Sequence, residues 1–231
     1  MEYTKEREEV AYFMRRLYER RLTTCSGGNI SLLVTEDIIL ITPSGLDKGR
    51  IDAEQIGIMS LSGQNITPSL KPSIETGMHI RVYQNRPDIR AIVHAHPVVS
   101  SSFAASEKEI NTSLIAESRA VLGKPARAAY AFMGSPELAA IVAQAVAGAN
   151  TVLLTNHGVL SIGQTLLQAF DRIEVLEAAA TITLITHLLG GKQELTGAQL
   201  SELEPPEERR LEINEELVQL ITQVVLNNLK V

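Results

Sequence analysis

Residues 91–100 read AIVHAHPVVS, an apolar and β-branched run that carries two histidines one residue apart. Such a run is typical of a buried strand, and Pro97 predicts where the strand ends. Because alternate side chains of a strand point the same way, we expect His94 and His96 on one face of a sheet and Ala95 on the other. Two imidazoles on one face provide two ligands of a metal site, and neutral histidine suits zinc.

A third ligand would make this pair a catalytic metal site, which needs about three protein ligands and an open position. His157 is the best candidate, because it directly follows the predicted strand at 150–156 and α/β folds assemble sites at strand ends. The other two histidines of the chain, His79 and His187, fall within predicted helices, where we expect structural roles. A His-X-His pair also occurs for hydrogen bonding or packing, so the spacing alone leaves both interpretations open.

Glu75 is the candidate carboxylate of the same site. It lies in KPSIETGMHI, where Pro72 and Ser73 indicate the start of a helix that leads to the histidine strand. A carboxylate beside a metal serves as a ligand and, once displaced, as a general base. Position alone also favours a simpler role, since the helix dipole stabilises an acidic side chain in the first turn.

The composition narrows the class of protein. With 231 residues, 45% of them hydrophobic, the chain can fill the core of one large domain. A net charge of -6, no Lys/Arg cluster and 4% aromatic residues argue against a nucleic-acid partner. Its single cysteine excludes an internal disulfide, and neither a signal-peptide core nor a membrane-spanning run is present. We therefore expect a cytoplasmic protein with no membrane partner.

The order of predicted elements indicates an α/β protein. Periodicity and turn residues predict, in order, a helix at 4–21, a hairpin at 30–42, a strand at 56–61, a helix at 71–86, a strand at 89–96, a helix at 135–148, a strand at 150–156 and a long helix at 165–191. Helices flanking a mixed, mostly antiparallel central sheet predict a three-layer α/β/α sandwich. We expect a single domain over 1–231, with a helical tail at about 205–231.

Three short loops share a chemistry: CSGGNIS at 25–31, TPSGLDK at 42–48 and KPSIE at 71–75. Each combines small residues, hydroxyl or amide groups and unobstructed backbone N–H donors. Such loops can hold a phosphate without the lysine of a P-loop. Each by itself is typical of an ordinary turn, so the prediction of phosphate binding rests on all three together.

Taken together, these residues make the chain resemble the class II aldolase/adducin family, with a pattern similar to that of L-fuculose-1-phosphate aldolases. The resemblance runs from the first helix to about residue 191, and four motifs carry it in order: SGGNIS, LITPSGL, KPSIETGMHIRVYQNRPDIRAIVHAHP and LLTNHGVLSIG. It implies a metal-dependent aldehyde-lyase that cleaves a ketose 1-phosphate, such as L-fuculose 1-phosphate, to dihydroxyacetone phosphate and an aldehyde. Members are usually C4 tetramers, so we expect a homotetramer with active sites at subunit interfaces.

The resemblance also assigns roles to residues. It implies that zinc is bound by His94, His96 and His157, with Glu75 as a ligand or neighbour of the ion and as the carrier of the proton. Nickel, cobalt or manganese can also occupy such a site. The phosphate pocket for the small phosphorylated sugar maps onto Gly28, Asn29, Ser44, Gly45 and Ser73.

Two positions depart from the family pattern. Ile74 stands where the family often has a second serine before the glutamate, which weakens or rearranges the grip on phosphate. The tyrosine that fuculose-phosphate enzymes contribute from a neighbouring subunit has no counterpart at 111–123, where Glu117 is the candidate acid–base residue; Tyr130 is the nearest tyrosine, with an expected structural role. The alternatives are a methylthioribulose-1-phosphate dehydratase, a ribulose-5-phosphate 4-epimerase, and a non-catalytic adducin-like binding module.

Overall fold

Fourteen helices and strands follow one another in the computed structural model, which describes residues 2–203. In chain order they are α1 (Thr4–Glu19), β1 (Asn29–Leu33), β2 (Ile38–Ile41), β3 (Gly57–Ser60), α2 (Thr76–Asn85), β4 (Ala91–Ala95), α3 (Val98–Ala104), α4 (Ala116–Leu122), β5 (Ala126–Ala128), α5 (Pro136–Ala145), β6 (Thr151–Leu154), β7 (Gly158–Gly163), α6 (Leu166–Leu188) and α7 (Gly197–Leu203). Two short 3-10 helices, Ala53–Gln55 and Thr112–Leu114, lie between them.

The strands form a single seven-stranded sheet in the order β3-β2-β1-β4-β7-β6-β5. Five of the neighbouring pairs are antiparallel, and β5 pairs with β6 in parallel. The predicted mixed, mostly antiparallel sheet is therefore confirmed. The histidine strand β4 lies at the centre, between β1 and β7, where both of its edges are paired.

Helices cover both faces of the sheet, which confirms the α/β/α sandwich. One apolar core lies under α1, α3, α4 and α6, and the other lies under α2 and α5. Strand β4 contributes to both, as the period of two requires. Val93 and Ala95 face the α6 side and Ile92 faces the α2 side, so His94 points toward α2.

The element boundaries show where local sequence decides structure. Ser135 caps α5 by accepting the Leu138 N–H, with Pro136 at the first helical position, as the sequence predicts. Helix α2 begins at Thr76, five residues later than the predicted start at residue 71. The short helices α3, α4 and α7 and the strands β5 and β7 were not predicted from the sequence.

Two predictions concern parts of the chain that the fold does not settle. The helical tail at about 205–231 lies outside the described residues. The single domain over 1–231 stays a prediction for the same reason. Among the described residues, no helix combines the length and the apolar character needed to cross a bilayer.

Candidate metal centre

The strand register brings the candidate ligands to one end of the sheet. In the ladder, His94 lies opposite Asn29 of β1 and Leu160 of β7, and Ala95 lies opposite Val159. The first residues of β1 and β7 therefore meet the last residues of β4. His157 directly precedes β7, so the antiparallel pairing alone carries it to the histidine pair.

The loop that carries His157 is a three-residue connection between β6 and β7. Its middle residue, Asn156, has φ 55°, in the left-handed region that asparagine tolerates better than most residues. The His157 N–H donates to the carbonyl of Leu154, which closes the turn. A tight hairpin of this kind fixes the position of the imidazole relative to the sheet.

Three imidazoles and one carboxylate converge at this end of the sheet. The Nε2 atoms of His94 and His96 are 3.0 Å apart. Glu75 Oε2 lies 3.2 Å from His94 Nε2, and Glu75 Oε1 lies 3.1 Å from His157 Nε2. Four ligands on a tetrahedral zinc at about 2.0–2.1 Å are separated by about 3.3 Å from one another. These three separations are close to that value, and one nitrogen from each histidine lies within 4.8 Å of the other two, so the group could hold one ion.

The chemistry of the facing atoms also fits a cation. His94 Nδ1 donates to the carbonyl of Val159 at 2.9 Å, which leaves a lone pair on Nε2 of the neutral ring. That lone pair faces Glu75 Oε2, which also accepts only. Two acceptors at 3.2 Å repel each other unless a cation lies between them. The Val159 carbonyl thus orients His94 as outer partners of metal-binding histidines do.

Burial keeps His94 and His96 neutral and able to bind a metal. Burial lowers the pKa of His94, although Glu75 opposes the shift. Burial, followed by His94 and His157, lowers the pKa of His96 to about 3. Both rings therefore offer a lone pair at neutral pH. Metal binding releases few protons here, which removes one cost of loading the ion.

Glu75 is ionised in spite of its burial. Burial raises the pKa of this carboxyl, but His94, His157 and the Asn29 amide together hold it well below its usual range. Glu75 directly precedes α2, and its side chain makes no hydrogen bond to cap that helix. The carboxylate instead faces the histidines. The simpler interpretation, an acidic residue held by the helix dipole, does not describe this geometry.

Two glycines lie against the ring of His96. A Cβ at Gly27 would come within 2.9 Å of His96 Nδ1. A Cβ at Gly158 would come within 2.6 Å of the Ala95 carbonyl oxygen and closer still to His96 Cδ2. The ring therefore occupies a slot that only glycines leave open on both sides. No motif in the sequence predicted that Gly27 and Gly158 act together.

The three predicted phosphate loops are tied together by hydrogen bonds. The backbone N–H of Lys48 donates to the Cys25 carbonyl, and its ammonium donates to the Pro43 carbonyl at 2.6 Å. The Ser44 N–H donates to the Lys71 carbonyl. The loops at 25–31, 42–48 and 71–75 therefore form one layer beside the histidines.

Lys48 was not singled out in the sequence, yet its side chain is almost fully buried, with 1% of its surface exposed. Burial lowers its pKa to about 8. Among the described residues it forms no ion pair with a carboxylate. The long Lys48 side chain is buried under loop 42–48 and holds the loop in place, which also sets the positions of Ser44 and Gly45.

The predicted pocket residues have different surroundings. Gly28, with φ 64°, lies so close to the His94 carbonyl that a Cβ would come within 2.7 Å of it. Gly45, with φ 76°, has open space around it. Ser73 is buried, and its hydroxyl accepts the Glu75 N–H at 3.3 Å. Asn29 is buried, and its side chain is fully engaged with Glu75 and His79.

The remaining predicted residues lie apart from the histidines. Glu117 is exposed on α4, and no hydrogen bond or ion pair between described residues connects it to the cluster. Tyr130 is 60% exposed, so an internal structural role is not apparent for it in this chain. His187 is exposed near the end of α6. His79 is fully buried on α2, one turn beyond Glu75.

Comparison with known proteins shows which family the chain resembles. Residues 8–184 match the family described as Class II Aldolase and Adducin N-terminal domain. An L-fuculose phosphate aldolase of Methanococcus maripaludis is 35% identical over 175 residues, which cover 76% of this chain and 94% of that protein. A 3-oxo-tetronate 4-phosphate decarboxylase of Haemophilus influenzae is 30% identical over 204 residues, covering 86% of this chain and 96% of that protein.

Among solved structures, an L-fuculose 1-phosphate aldolase superposes with a TM-score of 0.81 at 34% identity, covering 88% of this chain and 96% of that one. The chain therefore belongs to the class II aldolase and adducin family. It is an enzyme of that family, similar in sequence and fold to L-fuculose-phosphate aldolases. His94, His96 and His157 could together hold a metal ion.

Proposed function

We propose that the protein is a zinc-dependent aldolase that cleaves a ketose 1-phosphate to dihydroxyacetone phosphate and an aldehyde. The observation that carries this proposal is the cluster of three histidines and Glu75. The separations of His94 from His96, His94 from Glu75 and His157 from Glu75 are 3.0–3.2 Å. L-fuculose 1-phosphate is the first substrate to test, since the relative from Methanococcus maripaludis is named for it.

In this proposal the three histidines hold the ion, and Glu75 is either its fourth ligand or its neighbour. When bound, zinc supplies Lewis-acid polarisation of the substrate carbonyl. Nitrogen ligands favour zinc, although nickel, cobalt or manganese also fit the donor set.

Glu75 moves the proton at the nucleophilic carbon. Cleavage breaks the bond between C3 and C4 of the ketose, and the electron pair stays with the triose fragment. Glu75 is ionised at rest, so in this proposal it first takes up a proton from water when the substrate binds. The carboxyl then delivers that proton to C3, which completes dihydroxyacetone phosphate. Oε2 already accepts the Asn29 amide at 2.7 Å, so we assign the transfer to Oε1. No lysine Schiff base is required.

The phosphate lies against the three tied loops. Gly28 and Gly45 leave backbone N–H groups unobstructed, and Ser44 and Ser73 supply hydroxyls. We keep Asn29 in the pocket as part of its wall, with its side chain fixed by Glu75 and His79. Ile74, 55% exposed, stands beside these groups where a second serine would add a donor.

A neighbouring subunit completes the site in this proposal. Cleavage also needs a group that takes the proton of the C4 hydroxyl, and the histidine cluster offers none beyond Glu75. We propose that Glu117, exposed on α4, serves this role across the interface of a homotetramer. Exposed apolar residues near Ile74, namely Tyr130, Phe132 and Met133, support an interface here, because Gly134 packs against the Ile74 backbone. Light scattering measures the subunit number.

We also propose a cytoplasmic location, since Cys25 is unpaired and exposed and would persist as a thiol in a reducing compartment.

Decarboxylation of a 3-oxo acid phosphate is a second candidate, favoured by the relative from Haemophilus influenzae. Both reactions break a carbon–carbon bond next to a polarised carbonyl and then protonate the carbon. The dehydratase and epimerase alternatives use the same metal site. A non-catalytic binding module does not explain four intact donor groups.

The test is a substrate panel on protein whose zinc content has been measured. We expect a ketose 1-phosphate to yield dihydroxyacetone phosphate in a coupled assay, with His94→Ala inactive and free of zinc. His187→Ala is the matched control, because His187 lies on α6 outside the cluster. Mass spectrometry separates the outcomes: two fragments for an aldolase, loss of carbon dioxide, loss of water, or no change of mass. Zinc-loaded protein that cleaves none of the ketose 1-phosphates would refute the aldolase.

A further inference from the structure

A chain of hydrogen bonds runs from Glu75 into the protein, away from the histidine cluster. Asn29 Nδ2 donates to Glu75 Oε2 at 2.7 Å, and Asn29 Oδ1 lies 2.5 Å from His79 Nε2. His79 Nδ1 lies 2.7 Å from Ser31 Oγ, which lies 2.9 Å from the Tyr83 hydroxyl. All five residues are at least 96% buried. Bulk water therefore does not compete for these bonds.

The chemistry of the first group sets the direction of every bond that follows. An ionised carboxylate only accepts, so Asn29 must turn its NH₂ to Glu75 and its carbonyl oxygen to His79. An amide oxygen also only accepts, so His79 Nε2 must carry a proton. The His79 ring is fully buried between Asn29 and Ser31, and among the described residues no carboxylate bonds to it. A charge there would be costly, so the ring is neutral and Nδ1 is bare.

The direction continues to the far end of the chain. A bare Nδ1 accepts, so the Ser31 hydroxyl donates to it, and the Ser31 oxygen accepts from Tyr83. The Tyr83 proton is shared between Ser31 Oγ at 2.9 Å and the Arg90 carbonyl at 3.2 Å. Every donor therefore points toward Glu75, from strand β1 and helix α2 alike.

The opposite direction is not available. If His79 carried its proton on Nδ1, Nε2 and Asn29 Oδ1 would be two acceptors 2.5 Å apart. Relief would require the Asn29 amide to turn over, which would place its oxygen against the Glu75 carboxylate. The tautomer of a histidine on one turn of α2 thus decides whether the carboxylate on the preceding turn has a donor.

We propose that His79 and Ser31 are positioning residues, which fix the amide of Asn29 so that it holds Glu75 Oε2 and leaves Oε1 for proton transfer. The proposal rests on the proposed role of Glu75. It extends the expected structural role of His79 to the orientation of the reacting carboxylate. Neither residue contacts the substrate in this scheme.

The tautomer is measured first, on the full-length zinc-loaded protein with ¹⁵N-labelled histidine. Two-dimensional NMR distinguishes a protonated from a bare ring nitrogen, and a His79→Gln sample assigns the signals. We expect a single His79 tautomer with the proton on Nε2 at neutral pH. A proton on Nδ1, or a charged ring, overturns the proposal. Since no substrate is present, this result is independent of whether the protein is an aldolase.

Kinetics then test the consequence with a matched pair of variants. Ser31→Ala removes the donor to His79, and Ser161→Ala removes another fully buried hydroxyl, which donates to the Ala169 carbonyl on the far side of β7. We expect Ser31→Ala to lower kcat at least about tenfold and to leave KM within about twofold. The reason is that the chain of hydrogen bonds positions Glu75 for proton transfer and does not bind the substrate. Equal kcat values for the two variants overturn the proposal.

Substitution of His79 itself separates positioning from folding. Glutamine can donate to Asn29 and accept from Ser31 at once, whereas leucine can do neither. We expect His79→Gln to retain more kcat than His79→Leu when both bind one zinc per chain. If His79→Leu fails to fold, the NMR measurement of the His79 tautomer and the comparison of Ser31→Ala with Ser161→Ala still test the proposal. Retention of full kcat by a folded His79→Leu variant overturns the proposal.

Discussion

Substitution of Gly158 by alanine tests whether the slot around His96 is essential to the metal centre. The new Cβ would stand 2.6 Å from the Ala95 carbonyl oxygen and closer still to His96 Cδ2. Ordinary contacts begin near 3.4 Å, so the shortfall is at least 0.8 Å. Ala95 belongs to the paired central strand β4, so the backbone gives way less readily than the imidazole.

The magnitude follows from the tolerance of metal ligation. Bond lengths to zinc vary by about 0.2 Å, so a ring displaced by 0.8 Å or more leaves the coordination sphere. Loss of an outer-shell partner already costs about 10–100-fold in affinity, and loss of a ligand costs at least about 100-fold. Strain from the added methyl group costs the metal-free protein about 1–3 kcal/mol of unfolding free energy.

The assay is a zinc titration against a chelating indicator, together with urea unfolding of the metal-free protein. Gly148→Ala is the matched control, because a Cβ there has no neighbour within 4 Å and its φ is ordinary. We expect this control to bind zinc as tightly as the wild type does. Its free energy of unfolding should increase by up to about 1 kcal/mol, because alanine restricts the unfolded chain. A Gly158→Ala protein that binds zinc as tightly as the control would show that His96 is not held as described.

Three further predictions concern groups away from the ion. Burial lowers the pKa of Lys48 to about 8 from 10.5, so between those pH values the unfolded chain binds this proton and the folded chain does not. The free energy of unfolding of the wild type, relative to Lys48→Met, should therefore rise by up to about 1.4 kcal/mol per pH unit in that range, as measured by urea unfolding. Burial, with His94 nearby, lowers the pKa of His79 to about 3 from 6.5. The free energy of unfolding should therefore be unaffected by this group above pH 6.5 and fall as the pH drops below it, and the fall should be less steep in His79→Gln. Equal slopes of unfolding free energy against pH in the two proteins would contradict the prediction. Glu177 accepts the N–H groups of Val99 and Ser100 and the Ser100 hydroxyl at 2.6–2.9 Å; Glu177→Gln should cost about 1–2 kcal/mol of unfolding free energy, against no measurable change for the exposed Glu107→Gln.

The candidate ligands were accessible from the sequence because their signals are local. His94 and His96 share a face through the period of two in an extended chain. His157 follows a recognisable buried strand. These patterns also sufficed for the long elements, since α1, α5 and α6 each show amphipathic spacing or a capping residue. The short segments α3, α4 and β5 have neither.

The surroundings of the ligands depend on contacts between distant parts of the chain. Asn29 and His79 are 50 residues apart and share one hydrogen bond, and nothing in either motif predicts their pairing. Lys48 stands in a polar, glycine-containing loop that is typical of an exposed turn, yet it is buried under that loop. Burial of polar groups is decided by which loops stack together, which local composition does not encode.

The sequence by itself therefore determined the layered fold and the identities of the three histidines and the nearby glutamate, because strand alternation and turn chemistry act between neighbours along the chain. Only the tertiary structure decided how close those groups stand, which atoms carry the protons and which glycines make room for a ring. Those properties arise from the register of β1, β4 and β7, where a shift of one residue would turn His94 to the opposite face of the sheet.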